Sequence, residues 1–169
     1  RHKYLQKLVA SVLAIESPEL EIVVHDNTPD AAALEQLRAA FPDKRLVCAH
    51  EAQALSISGN FERGLALARG DYVCMLGDDD GVTENVLALA RWMKRAQLDA
   101  AVTPVPTYLW PGVASALDGA QNAGVLRVPA YSHRVRFVDT RAALAAVLRS
   151  GGVRVGSLPS VYQCLVSRR

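Results

Sequence analysis

No run of about 18 consecutive apolar residues occurs in the 169-residue chain, which excludes a single-helix membrane span from this stretch. Nothing in it has the form of a secretory signal either. Cysteine is scarce: Cys48, Cys74 and Cys164 stand far apart, odd in number and in no CxxC or Cys/His spacing. Neither a zinc site nor a disulfide framework is implied, and a reducing compartment is expected. A surplus of one charge sign is also missing, because 19 Lys and Arg face 17 Asp and Glu for a net +2. Such a weak overall field argues for neither nucleic acid nor an anionic membrane surface, so function has to come from a local site. Ser11, Ser56 and Ser58 lack the strand-turn-helix elbow of a hydrolase nucleophile.

What is present is enough apolar material, 50% of the residues, for one domain with a sizeable core. Residues 3–16, KYLQKLVASVLAIE, space Leu5, Leu8, Val9, Val12 and Leu13 as one helical face, closed by Ser17-Pro18. EIVVHD reads as a strand, and Thr28 before Pro29 as the cap of a following helix. The alternation repeats with RLVCAH, NFERGLALAR closed by Gly70, DYVCML, ENVLALARWMKRA and a strand over 99–105. Helices between apolar strands imply an α/β fold with a mostly parallel sheet and helices on both faces. Beyond Pro104 the prolines and small residues predict irregular strands and loops. A helix then follows, with Asp139 or Thr140 as cap and Gly151 as stop, and SVYQCLVSRR as a last strand.

The sharpest feature is YVCMLGDDDG, in which an apolar run meets three adjacent carboxylates, Asp78, Asp79 and Asp80. In an open parallel sheet the crevice at the strands' carboxyl ends binds ligands, and this loop sits at such an end. Neighbouring carboxylates raise one another's pKa unless a cation or several donors stabilise the charges. A short glycine-ended oxygen loop suits Mg²⁺ or Mn²⁺ with open positions for phosphate oxygens. The alternative is a solvated acidic turn leading into the helix at Thr83. Asp26 and Asn27 follow another strand at the same sheet edge. Asp26 either accepts from a base or ribose, or closes an Asx turn toward Thr28.

EIVVHDNTPD and SGNFERGLALARGDYVCMLGDDDG together resemble the nucleotide-sugar-binding core of family 2 glycosyltransferases with the GT-A fold, a Rossmann-like architecture. In that family an Asn begins a helix ending in Ala-x-Gly, a strand follows as Asp/Glu-Tyr, and a DxD-type motif closes it. Asn60, Gly64, Ala68, Gly70, Asp71, Tyr72 and the triplet match in order and spacing. The resemblance implies a donor site at Asp26, Asn27, Asn60 and Asp78, with Asp26 on a uracil-type base and the triplet on ribose and metal. Among the metal ligands Asp79 comes first, with Asp78 and Asp80 beside it, since Gly77 stands where many members carry the first acid. It also implies transfer from a UDP-sugar to a carbohydrate or lipid-linked acceptor, with inversion and Mn²⁺ or Mg²⁺, in cytoplasmic synthesis of cell envelope polysaccharide, peripherally at the inner membrane face.

On this reading residues 1–103 are the nucleotide-sugar-binding half and 104–169 the start of the acceptor half. The family's first strand would precede Arg1, and its catalytic Asp has no match before Arg169, so the chain is expected to be incomplete at both ends. Asp118 and Asp139 are the aspartates of the second half, and Asp139 reads as a cap. The catalytic residue is therefore unknown. His25 and His50 lack a matched acid and nucleophile and read as structural. His133, Arg134 and Arg136 read as a basic strand, Trp92 as core, and Trp110 as a surface for sugar stacking. Two rival functions remain, a non-catalytic sugar-nucleotide-binding module and a metal-dependent phosphatase or nucleotidyltransferase.

Overall fold

The computed structural model describes residues 2–103, 106–109, 124–130, 134–151 and 164–168. The chain forms two compact units, Arg1–Ala101 with Cys164–Arg169, and Val102–Gln163. In chain order the elements are α1 (His2–Leu13), β1 (Ile22–Asp26), α2 (Ala32–Ala40), β2 (Leu46–His50), α3 (Ile57–Leu67), β3 (Tyr72–Val73) and α4 (Asn85–Ala96). They continue with β4 (Ala100–Ala101), β5 (Thr107–Leu109), β6 (Val125–Arg127), α5 (Thr140–Arg149) and β7 (Leu165–Ser167).

Strands β1 and β2 pair in parallel, from Ile22 opposite Leu46 to Asp26 opposite His50, with α2 as the crossover that a parallel pair requires. Strand alternation turns Ile22, Val24, Leu46 and Cys48 to one face. There they pack on Val9 of α1 and on Leu34 and Leu37 of α2, all at most 2% exposed. Helix α3 takes the other face. A Cβ at Gly64 would lie 3.6 Å from that of His25, so the missing side chain permits the close approach. Helices cover both faces of this pair, as the periodicity predicts.

Arg45 fastens α1 to the start of β2. Its guanidinium donates to the carbonyl oxygens of Leu13 (2.8 Å), Ile15 (2.7 Å) and Ser17 (3.3 Å), and to Asp43. Carbonyls at and beyond a helix end have no partner within the helix, and one five-donor fork supplies three of them.

A mostly parallel sheet does not extend through the described residues. β3 and β4 each pair antiparallel with β7, giving the order β3-β7-β4, while β1-β2 is a separate ladder. The cause lies in the final strand, whose buried Cys164 and Leu165 insert it between two strands running the opposite way. β3 stops at Val73 rather than Leu76, and β4 is two residues long; residues 104 and 105 of the predicted strand lie outside the described residues.

Other boundaries shift for identifiable reasons. α2 begins at Ala32, not at Pro29, because Thr28 is held by Asp26 and the carboxylate of Asp30 accepts the Ala32 N–H at 2.8 Å. α3 begins at Ile57 rather than Asn60, because Ser56 accepts the Gly59 N–H and caps the helix one turn earlier. α4 buries Met93 completely, whereas Trp92 is only half-buried, so Met93 is the core residue of that helix.

In the second unit β5 and β6 form an antiparallel ladder, with Thr107 opposite Arg127 and Leu109 opposite Val125. Asp139 caps α5 by accepting the Ala142 N–H at 3.0 Å. Gly151 follows the helix at φ +65°, the left-handed conformation that favours glycine after a helix end.

Candidate functional site

Most of the expected donor residues gather at the carboxyl end of β1. His25 donates from Nδ1 to the Asn60 side-chain oxygen at 2.7 Å, and Asn60 Nδ2 donates back to the His25 carbonyl at 3.3 Å. Both ends of the Asn60 amide are thus engaged by one residue of β1, which ties α3 to the strand. Two residues further on, Asn27 Nδ2 donates to the Leu55 carbonyl at 3.2 Å, joining the loop after β1 to the approach to α3.

Asp26 is half-buried, and each of its carboxylate oxygens meets Thr28: Oδ1 accepts the backbone N–H at 3.0 Å and Oδ2 the hydroxyl at 3.1 Å. The Asx turn foreseen as an alternative is present. It leaves further lone pairs on both oxygens, so the same carboxylate retains acceptor capacity. His50, at the end of β2, donates from Nε2 to the Thr28 carbonyl at 2.8 Å, and the Glu51 N–H donates to the Asp26 carbonyl at 2.9 Å. His25 thus ties α3 to the end of β1, and His50 ties the loop after β1 to the end of β2. What sequence reasoning missed is that His25 binds Asn60; the clue was an imidazole within a β-branched strand, where it needs a partner from the helix above.

The acid triplet forms a turn. The Asp80 N–H donates to the Gly77 carbonyl at 3.2 Å, and the Gly77 N–H donates back to Asp80 Oδ2 at 3.0 Å. Asp79, at the tip, is exposed, while Asp78 and Asp80 are half-buried. A backbone donor meets the Asp80 carboxylate, and the Asp79 carboxylate faces solvent. Among the described residues no group of three His, Cys, Asp or Glu side chains is placed to enclose a metal ion. The donor chemistry fits a hard cation held by one or two carboxylates, with water and phosphate oxygens in the other positions.

Asp26 ends a strand of the parallel ladder, and the triplet follows a strand of the antiparallel one. The residues just past the triplet, Val82 to Asn85, line an open groove with Ser11, Glu16 and Arg91. Arg91 forms an ion pair with Glu19 at that groove. Asp118, His133 and Trp110 lie outside the described residues. Asp139, the other aspartate of the second half, is committed to its helix cap.

Carboxylates and amides on loops at the ends of strands, in an α/β frame, occupy the place where such folds bind ligands. The model of glycosyl transferase family 2 matches residues 1–135, and the chain belongs to that family. It is a family 2 glycosyltransferase. No curated protein and no solved structure gives a significant match.

Proposed function

We propose that the chain binds a UDP-sugar and transfers its sugar, with inversion, to an acceptor hydroxyl of a carbohydrate or a lipid-linked saccharide. The observation that carries this reading is the Gly77–Asp80 turn, which presents an exposed Asp79 within the family-matched residues. Asp26, with acceptor capacity left beyond its turn, receives the base N–H, and Asn27 retains its side-chain oxygen for the ribose. Asn60 acts at one remove, holding His25 and with it the end of β1.

Asp79, with Asp78 or Asp80 beside it, would hold Mn²⁺ or Mg²⁺. When bound, such a cation supplies positive charge to the diphosphate leaving group. The chain's own contribution is to orient the donor and to present the carboxylates on a turn held by the Gly77 N–H. No carboxylate among the described residues is assigned as the base that deprotonates the acceptor. The setting is cytoplasmic synthesis of an envelope polysaccharide.

Calorimetric titration with UDP and UDP-sugars, with and without Mn²⁺, tests the proposal. Binding that tightens on adding metal supports it, and affinity indifferent to metal refutes the metal bridge.

A further inference from the structure

We infer that the second unit carries a surface for an anionic phospholipid bilayer, distinct in its chemistry from the donor site and independent of the transfer reaction. The charge balance of the whole chain conceals it. Residues 102–163 contain six arginines, two aspartates and neither lysine nor glutamate, an excess of four positive charges, although the full chain carries only +2. One of the two acids, Asp139, is engaged in capping α5.

Arg134, Arg136, Arg141 and Arg149 are interspersed with apolar side chains that the unit leaves in water. In the segment RVRFV, residues 134–138, every position is exposed, with Val135 at 68% and Phe137 at 69%. Helix α5 continues the pattern. It buries Val147, yet Leu144 and Leu148, four residues apart, remain exposed, Leu148 at 71%. At about 100° per residue, Arg141, Leu144 and Leu148 fall within roughly 60° of arc, so a cation and two leucines share one outward stripe. Arg149, also exposed, lies about 80° further round, beyond Ala145.

A predominantly cationic surface studded with isolated valine, leucine and phenylalanine fits the boundary between headgroups and acyl chains. There the arginines meet anionic headgroups and the apolar side chains enter the first few ångströms of hydrocarbon. An acidic protein would match the charge but would leave the exposed aliphatic groups without a fluid medium to enter. No described helix is long and apolar enough to cross a membrane.

The test is sedimentation of the 169-residue protein with vesicles of phosphatidylcholine alone, and of phosphatidylcholine with about one-third phosphatidylglycerol. Binding to the anionic vesicles only, reversed by high salt, is the expected result. R136A/R149A weakens it by at least about tenfold, since each arginine near such a surface contributes a several-fold factor. L144S/L148S weakens it as well while circular dichroism stays unchanged. Absence of binding to anionic vesicles, or equal binding to both kinds, overturns the proposal. So does a concentration-dependent dimer that needs Leu144 and Leu148 in a protein that ignores vesicles, because the stripe then belongs to a second copy of the chain.

Discussion

His25 and Asn60 hold each other at both ends: the imidazole donates to the amide oxygen at 2.7 Å, and the amide nitrogen donates to the backbone carbonyl of His25 at 3.3 Å. Both residues are half-buried, so replacing the amide leaves an imidazole N–H and a carbonyl without partners at a helix–strand contact. Asn60→Ala is expected to cost about 1–3 kcal/mol in urea denaturation. UDP affinity of the folded variant should fall much less than in Asp79→Ala. A loss in binding as large as that of Asp79→Ala, with unchanged stability, would instead put Asn60 on the ligand.

The three acids of the triplet are not equivalent. Asp79 is exposed at the tip of the turn, whereas Asp80 holds the Gly77 N–H. Asp79→Ala should leave the melting temperature unchanged and reduce the Mn²⁺-dependent gain in UDP affinity by about tenfold or more, the scale of losing a charged ligand. Asp80→Ala should lower both metal-dependent binding and the melting temperature. Paired calorimetry and thermal melts separate the two.

Arg45 meets the carbonyls of Leu13, Ile15 and Ser17 with one planar fork. Arg45→Met keeps much of the aliphatic stem and removes every donor. A drop of roughly 5 °C or more in melting temperature is expected. Lysine at this position should recover only part of it, because a single ammonium cannot address three carbonyls and Asp43 together.

Acid should weaken the fold through two carboxylates. Hydrogen bonds from the side chain and backbone of Arg45 hold Asp43 down to about 2. For Glu21, burial pushes the carboxyl up, but the N–H groups of Arg69 and Gly70 and the Arg69 guanidinium outweigh it, and the net direction is downward. A native pKa below the unfolded value means that the unfolded chain binds protons first. The stabilisation is therefore complete above the ordinary carboxylate range and is lost as pH falls through the native values. Thermal melts of Asp43→Asn should lie below those of the parent protein at pH 7 and approach them near pH 2. Glu21→Gln should converge with the parent in the same direction.

The first half of the fold was legible because its signals are local. Val9, Leu34 and Leu37 fall on the faces that helical spacing assigns, and Ile22 and Val24 alternate as a strand must. Helix starts were less legible: α2 follows an Asx turn at Asp30 with Ala31 rather than Thr28 at its cap position, and Ser56 displaced Asn60 before α3. The sheet direction beyond β2 could not be read at all. It depends on where Leu165–Ser167 inserts, and nothing in the spacing of β3 and β4 encodes a partner some 65 residues or more downstream.

At the site, the Gly77–Asp80 turn was legible as a glycine beside Asp residues, and the Asx turn at Asp26 as an Asp two residues before Thr28. The mutual hold of His25 and Asn60 was not, because it joins side chains 35 positions apart. The cationic face of the second unit was hidden for a different reason: a sum over the whole chain cancels charges that belong to different units.

The β3-β7-β4 order also dictates a timetable for synthesis. Among the described residues each of the two short strands flanking the last one has no other neighbour in that ladder, so the ladder cannot close until Leu165–Ser167 has left the ribosome. The β1-β2 ladder and its helices are complete in the first 67 residues and are free to fold while translation continues. A nascent chain arrested before Cys164 should therefore protect amides of the parallel pair from exchange while leaving those of Tyr72, Val73, Ala100 and Ala101 open to solvent.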